Sequence, residues 1–406
     1  MTAPVVSPDR RGFRAPGTTF MISGGLIGAV GAYLFQLYGA RVLGPDVFAP
    51  IGILWTAFFI LATVLLVPVE QYVTREVASG RKTLPHDLAP AAVMVTSGGV
   101  LGAGFVWLNL DSLFEGRIEY VIQIALLIVA YGLLFVGKGI LAGARRFSDV
   151  GWVMIVETTA RLVAAVGLLA LATRATSLGW AMVIGGFAVL ALRWWKYDKE
   201  EERSDEASAG RFLAGYAGGT ASSQLLLAGA PLAVAALGAS PALISIVFVT
   251  FTLYRAPLTL IFALQGRILP YLVGLAHAKD NPRLGRIARL VVLYGSLLAI
   301  VGGLVGWLVG PEVVSILYGE EFLPGQTMAM FAAAGVMAAA AAQIASQVLV
   351  AEGRTRRLAL AWLGGLVSAL ISLAVLGGEP DVRVAGAFVI GEFVSLGLMA
   401  LLAIRR

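Results

Sequence analysis

Twelve times along this chain the sequence runs apolar for about 20 residues, enough for one helix to cross a bilayer. The runs cover 18–40, 47–69, 90–110, 118–142, 150–172, 177–195, 212–237, 242–264, 289–310, 327–350, 358–377 and 384–403. No water reaches the hydrocarbon region, so a span must satisfy its backbone N–H and C=O groups internally. Runs of this length do so as α-helices, and the Gly and Pro inside several of them are tolerated there. The fold class expected is therefore all-α, a polytopic membrane protein with twelve transmembrane helices. Composition agrees. Charged residues make up 13% of the chain and mean hydropathy is +0.87, whereas soluble domains carry about 25% charged residues.

Lys and Arg concentrate in loops that stay on the cytoplasmic side, and this sets orientation. With the N-terminus inside, 23 of the 30 Lys and Arg fall in inside segments and four (Arg41, Arg117, Arg174, Arg383) outside. Lys138, Arg161 and Arg255 lie within spans. The split supports a multi-pass protein of the cytoplasmic (inner) membrane, with N- and C-termini cytoplasmic. The stretch 1–17 is polar and basic and the first apolar run is too long for a signal-peptide core, so no cleavable signal peptide is expected. The net charge of +6 is explained by this asymmetry and implies no nucleic-acid partner.

Several chemistries are excluded. There is no cysteine and there are two histidines, so no metal site and no cofactor are expected. The Gly-rich stretches 24–31 and 303–310 are followed by no Walker Lys-Ser/Thr, which argues against ATP energisation within this chain. Their small-xxx-small spacings read as close helix packing. The longest outside loop, 310–325, is too short to present a catalytic domain, so a membrane polymerase or ligase does not fit and the chain is not expected to be an enzyme.

The most hydrophilic stretch, 196–210 ("KYDKEEERSDEASAG"), divides the spans six and six. It reads as a cytoplasmic linker between an N-terminal half, 1–195, and a C-terminal half, 211–406; the alternative is an ordinary loop that happens to be central. The segment "PRLGRIARL" places Arg283, Arg286 and Arg289 among apolar residues and reads either as a basic helix lying on the inner leaflet or as a plain positive-inside loop.

Three segments carry a resemblance: "GARVLGPDVFAPIGILWT" (39–56), "PVEQYVTREVASG" (68–80) and "PEVVSILYGEEFLPGQTMAM" (311–330). They resemble matching stretches of bacterial polysaccharide transporters, the O-antigen-flippase-like branch of the multidrug/oligosaccharidyl-lipid/polysaccharide exporter superfamily. The span count, central linker and short loops agree along the whole chain. The resemblance implies two six-helix lobes around a central cavity and alternating access. It also implies a lipid-linked oligosaccharide substrate, flipped from the inner to the outer leaflet, with membrane lipids and glycan-assembly proteins as partners. A cation-coupled multidrug-type exporter of the same superfamily is the alternative.

The charges inside the spans are the candidate site. A centrally placed arginine costs about 2.5 kcal/mol or more in a bilayer, so it is expected to have a purpose. Arg255 lies deep in the eighth run, beside Pro257, which can kink the helix. Its planar fork suits a phosphate or pyrophosphate; an ion pair with an acid of a neighbouring span is the other reading. Glu157 and Arg161, four apart, share a helix face and either neutralise each other or offer a second phosphate ligand and an ion-coupling acid. Lys138 is near the inner end of its span and is placed to meet an anionic headgroup. Glu392, mid-span, is a second candidate for ion coupling. Gln343 and Gln347 share a face and either bond sugar hydroxyls or join helices. The in-span cations outnumber Glu157 and Glu392, which favours anionic cargo.

Overall fold

The computed structural model describes residues 17–78, 88–191, 220–278 and 281–404. The expected linker 196–210 and the start of the seventh span lie outside these residues. Among the described residues every regular element is helical.

The first two spans form one long helix, α1 (Thr18–Leu61), interrupted at Gly44, whose φ of 72° and ψ of 167° belong to a region that essentially only glycine occupies. Pro45 follows and has no N–H to continue the ladder. This is the turn expected after the first run. The second span then passes through a π-helical turn (Ala62–Leu66) into α2 (Val67–Ala78). The next spans are α3 (Ala89–Leu108), a short α4 (Leu110–Leu113), α5 (Glu119–Gly143), α6 (Phe147–Leu171) and α7 (Ala175–Phe187). Helix α8 (220–228) and α9 (Ala230–Ala236) share the seventh span, broken at Gly229.

The eighth span departs from expectation. It consists of α10 (Pro241–Tyr254) and α11 (Ala256–His277), well beyond residue 264. Pro270 and His277 mark a loop by type, yet Leu272 and Leu275 are buried against Leu284 and Val348, and that packing extends the helix. The remaining spans are α12 (Asn281–Tyr318), α13 (Gln326–Ala351), α14 (Thr355–Val375) and α15 (Pro380–Ile404). Helix α12 opens with Leu284 and Ala288 buried and Arg283, Arg286 and Arg289 exposed, so this basic segment is helical and two-faced.

Packing divides the chain into two compact units. One is drawn from residues 1–36, 65–105 and 119–213, the other from 37–64, 106–118 and 214–406. Below they are unit 1 and unit 2. In unit 2, α12 exposes Leu293, Leu297, Ile300, Leu304 and Leu308, each more than half accessible. A contiguous apolar stripe of this size is untenable in water and is at home in lipid.

Because lipid tails are as apolar as Leu, helices associate in a membrane through close fit. The glycine stretches supply it. In unit 1 a Cβ on Gly24 would fall 2.7 Å from the backbone of Gly151, locking the first half of α1 onto α6. In unit 2 Gly303 and Gly306 seat α12 on α13, and a Cβ on Gly306 would lie 2.6 Å from Ala333 Cβ and 2.7 Å from the Ala329 carbonyl. Gly104 on α3, by contrast, has nothing within 4 Å. Gly306→Val should therefore lower stability by about 1–3 kcal/mol, the cost of overpacking, while Gly104→Ala should be neutral or mildly stabilising. Thermal unfolding of the two variants in the same detergent checks the contrast; equal behaviour would refute the packing account.

Candidate functional site

Among the described residues the candidate side chains fall into three groups, two in unit 1 and one in unit 2.

The first is a closed cluster between α5 and α6. One turn of helix puts Glu157 and Arg161 on a common face, and Arg161 Nη1 lies 2.8 Å from Glu157 Oε1. Tyr131 of α5 donates its hydroxyl to the same oxygen at 2.5 Å and accepts from Arg161 Nη1 at 3.1 Å. Thr158 Oγ1 donates to Glu157 Oε2 at 3.0 Å. The guanidinium stands 5.5 Å from the Phe35 ring centroid, a cation–π contact from α1. Glu157 and Arg161 are buried, so the two sequence candidates form a charge-balanced ion pair. Tyr131 is the member that sequence reading missed. The available signal was its position seven residues before Lys138 with Phe135 between, one polar and aromatic row along a membrane helix.

The second group is that same row two turns further along α5. Lys138 Nζ lies 3.0 Å from Glu70 Oε2 of α2 and 4.8 Å from the Phe135 ring centroid, with both charged side chains mostly buried. Lys138 thus answers an acid from 68 residues away.

The third group is spread through unit 2. Arg255 is the hinge residue of the eighth span. It ends α10 and starts α11, with Pro257 in the first turn of α11. The proline cannot donate, so the ladder lapses there, and Arg255 Nε donates back to the Phe251 carbonyl at 2.9 Å. Arg255 is half-buried. It lies 14 residues from Pro241, about 21 Å along the helix. Gln343 and Gln347 are half-buried on α13; Gln347 Nε2 donates to Ser346 Oγ at 3.2 Å, and Ser346 Oγ donates to the Gln343 carbonyl at 2.7 Å.

Glu392, on α15, is fully buried, and neither carboxylate oxygen has a hydrogen-bond partner among the described residues. It therefore makes no ion pair with Arg255. One turn before it, Phe388 meets Phe251 of α10 edge-on at 5.4 Å. One turn after it, Leu396 lies against α12 at Gly295. Ser395 Oγ, on the neighbouring face, is likewise buried without a partner.

Two cavities in unit 2 accompany these groups. One, about 230 Å³, is wholly apolar, opens beside the exposed Leu225 and Leu370, and reaches Phe388. The other, about 280 Å³, lies at the far end of α11 and α13 and is lined by His277, Glu352 and Arg354. There burial pushes the Glu352 carboxyl above the usual range, against the pull of Arg354 and Arg357.

No family model matches the chain. Among curated proteins it is 26% identical to the uncharacterized protein Rv3630 of Mycobacterium tuberculosis (strain H37Rv), covering 91% of this chain and 88% of that one. It is 25% identical to Rv1510 of the same strain, over 92% and 88%. Among solved structures it is similar to an inward-facing multidrug resistance MATE family transporter of the MOP superfamily, with TM-score 0.67, 13% identity, and 95% and 97% of the two chains covered. It is similar also to the lipid II flippase MurJ in an inward closed conformation, with TM-score 0.66, 12% identity, and 94% and 87% covered. These likenesses show that the chain shares the helical fold of these two structures.

The unit 1 cluster generates a stability test. Tyr131→Phe removes one donor and one acceptor from a buried ion pair and should cost about 1–3 kcal/mol. Glu157→Gln, which strips Arg161 of its counter-charge, should cost more, about 3–5 kcal/mol. Chemical unfolding in micelles measures both; the reverse order would show that the pair is not the cluster's anchor.

Proposed function

We propose that this chain is an alternating-access flippase that moves a lipid-linked oligosaccharide, a polysaccharide precursor, from the inner to the outer leaflet of the cytoplasmic membrane. In this reading it acts as an O-antigen-flippase-like member of its superfamily. The observation that carries the proposal is Arg255, a half-buried arginine at a helix break far from either end of a span. A broken membrane helix is tolerated where its backbone meets protein or a water-filled cavity. An arginine there suits the phosphate or pyrophosphate of a lipid-linked sugar, which would compete with its present hydrogen bonds. Gln343 and Gln347 are offered to sugar hydroxyls. Lys138 and Arg161, in unit 1, are further candidate cations for an anionic headgroup, reachable once Glu70 and Glu157 exchange partners. The apolar cavity beside Leu225 and Leu370 suits a hydrocarbon tail.

The energy source in this reading is ion coupling at Glu392. An ionised carboxylate buried without a partner costs several kcal/mol. A proton or small cation would neutralise it, and its arrival or departure would change the packing of α15 on α10 and α12. Glu157, already bonded to Tyr131, Thr158 and Arg161, is the less available acid. The alternative, a cation-coupled exporter of drug-like cations, draws support from the multidrug resistance MATE family transporter that shares the fold. The placement of Arg255 at the helix break, with its Nε on a backbone carbonyl, favours anionic cargo.

In proteoliposomes with a fluorescent lipid-pyrophosphate oligosaccharide, Arg255→Glu should reduce flipping at least tenfold while the protein still inserts, and Arg255→Lys should keep part of it. Flipping unchanged in Arg255→Glu would reject the reading, as would transport of a lipophilic cation with no effect on the anionic lipid.

Glu392→Gln should abolish the stimulation of flipping by an imposed ion gradient and leave slow, gradient-independent exchange in place. Gradient stimulation equal to that of the unaltered chain would remove Glu392 from coupling.

A further inference from the structure

Unit 2 contains a segment that belongs, by sequence, to the first half of the chain. Residues 37–64 comprise the end of the first span, the Gly44–Pro45 turn and most of the second span, and they pack with 214–406. Three contacts hold them there, each joining positions about 200 residues or more apart. Arg41 donates from Nε to the Leu317 carbonyl and from Nη2 to the Ile316 carbonyl, both at 2.5 Å. Ser245, fully buried near the start of α10, donates its hydroxyl to the Pro45 carbonyl at 2.5 Å. Phe48 and Phe248, both buried, meet at 5.8 Å between ring centroids, and Gly52 lies flat against Phe248.

The chemistry of these contacts differs from ordinary core packing. The last carbonyls of a helix have no intrahelical partner, and a cation there is favoured by the helix dipole. Arg41 caps α12 in this way, but from an exposed position where water can take over both carbonyls. Behind it lie one neutral hydrogen bond and one dry ring contact. No acid is bonded to Arg41 in this contact, so parting it leaves no buried charge behind. The segment leaves unit 2 at residue 64, inside the π-helical turn Ala62–Leu66. That turn is loosened on both sides: Thr63 Oγ1 bonds back to the Phe59 carbonyl at 2.7 Å, and Pro68 has no N–H to give. Single π-turns of this kind recur at functional sites. The charge asymmetry of the loops puts the turn at 41–46, the start of α10 and the end of α12 all on the outside.

From this we infer that residues 37–64 are a strap, latched to α10 and α12 by Arg41 and Ser245 and hinged at the π-turn. Releasing the latch opens the outer side of unit 2 in each transport cycle. The inference rests on the alternating-access reading above, and its primary test does not require cargo. The sequence contains no cysteine, so single cysteines report cleanly. In the full chain reconstituted in nanodiscs, Phe248→Cys is labelled with a bulky water-soluble maleimide. The position is 1% exposed, so labelling requires the strap to lift. Adding Arg41→Gln should speed labelling by about tenfold or more, given what a hydrogen bond from a charged group contributes. Ser245→Ala should act in the same direction. Ala165→Cys, buried in unit 1, should label at one unchanged rate in both backgrounds. Equal rates at Phe248→Cys with and without Arg41→Gln overturn the latch. Equal acceleration at Ala165→Cys, the mark of general loosening, overturns it too.

A second measurement ties the strap to the cycle. A Cβ at Gly52 lies 3.3 Å from Phe248 Cβ, close to the separation of about 3.5–4.5 Å in a disulfide. Oxidised Gly52→Cys, Phe248→Cys protein should stop flipping the fluorescent lipid-pyrophosphate oligosaccharide, and reductant should restore it. Equal flipping by the oxidised and reduced forms overturns the strap's part in transport. If the reduced form does not flip at all while the unaltered chain does not either, the transport reading fails and the labelling rates still decide the strap.

Discussion

Everything in this structure follows from the absence of water around the spans. A backbone that cannot bond to solvent must bond to itself, so every regular element among the described residues is helical. The same absence removes the hydrophobic force from helix association, and the helices are held by fit. That is why glycine lies at the closest helix contacts: Gly24 on Gly151, Gly139 on the Glu70 carbonyl, Gly306 on Ala329. It is also why the few polar side chains inside the spans matter. Each must find a partner within the protein or be neutralised by something that comes and goes.

Those partners sort the in-span charges by what they can do. Glu157 and Arg161 balance each other's charge and are tied further by Tyr131 and Thr158, so they stabilise unit 1 first and can serve transport only by rearranging. Lys138 and Glu70 are a simpler pair, held by one contact of 3.0 Å and an aromatic ring. Arg255 differs in being placed at a helix break, where backbone geometry is already interrupted and rearrangement costs least. Glu392 differs again: it has burial without a partner, an arrangement that stability alone would not select.

What the sequence discloses and what it withholds divide along physical lines. Span number, span depth and helix face are local properties, written in hydropathy and in a 3.6-residue period, so the twelve spans and the shared face of Glu157 and Arg161 were legible. The turn at Gly44–Pro45 was legible as the gap between the runs 18–40 and 47–69 and in the family resemblance of 39–56. The end of the eighth span was not, because Leu272 and Leu275 are kept helical by partners on α12 and α13 that no local pattern announces. The partners of Lys138 and Ser245 were equally hidden, being 68 and 200 residues away. Periodicity places a residue on a face; it does not say which helix that face meets.

The strap and the in-span charges are connected through the helices that carry them. Ser245, Phe248, Phe251 and Arg255 lie on one helix, α10 and its cap, at spacings of three and four residues, so they form a single row. At one end of the row Ser245 holds the Pro45 carbonyl; at the other Arg255 terminates the helix, and between them Phe248 meets Phe48 and Phe251 meets Phe388. Phe388 is one turn from Glu392. A change in the charge state of Glu392 that shifts Phe388 therefore acts on the same row that grips the strap. Packed side chains have discrete arrangements and transmit such shifts without damping them. In the proposed cycle, ion arrival at Glu392, anion contact at Arg255 and release of the strap at Ser245 are three loads on one helical row. Coupling between them needs no longer pathway than four turns of helix.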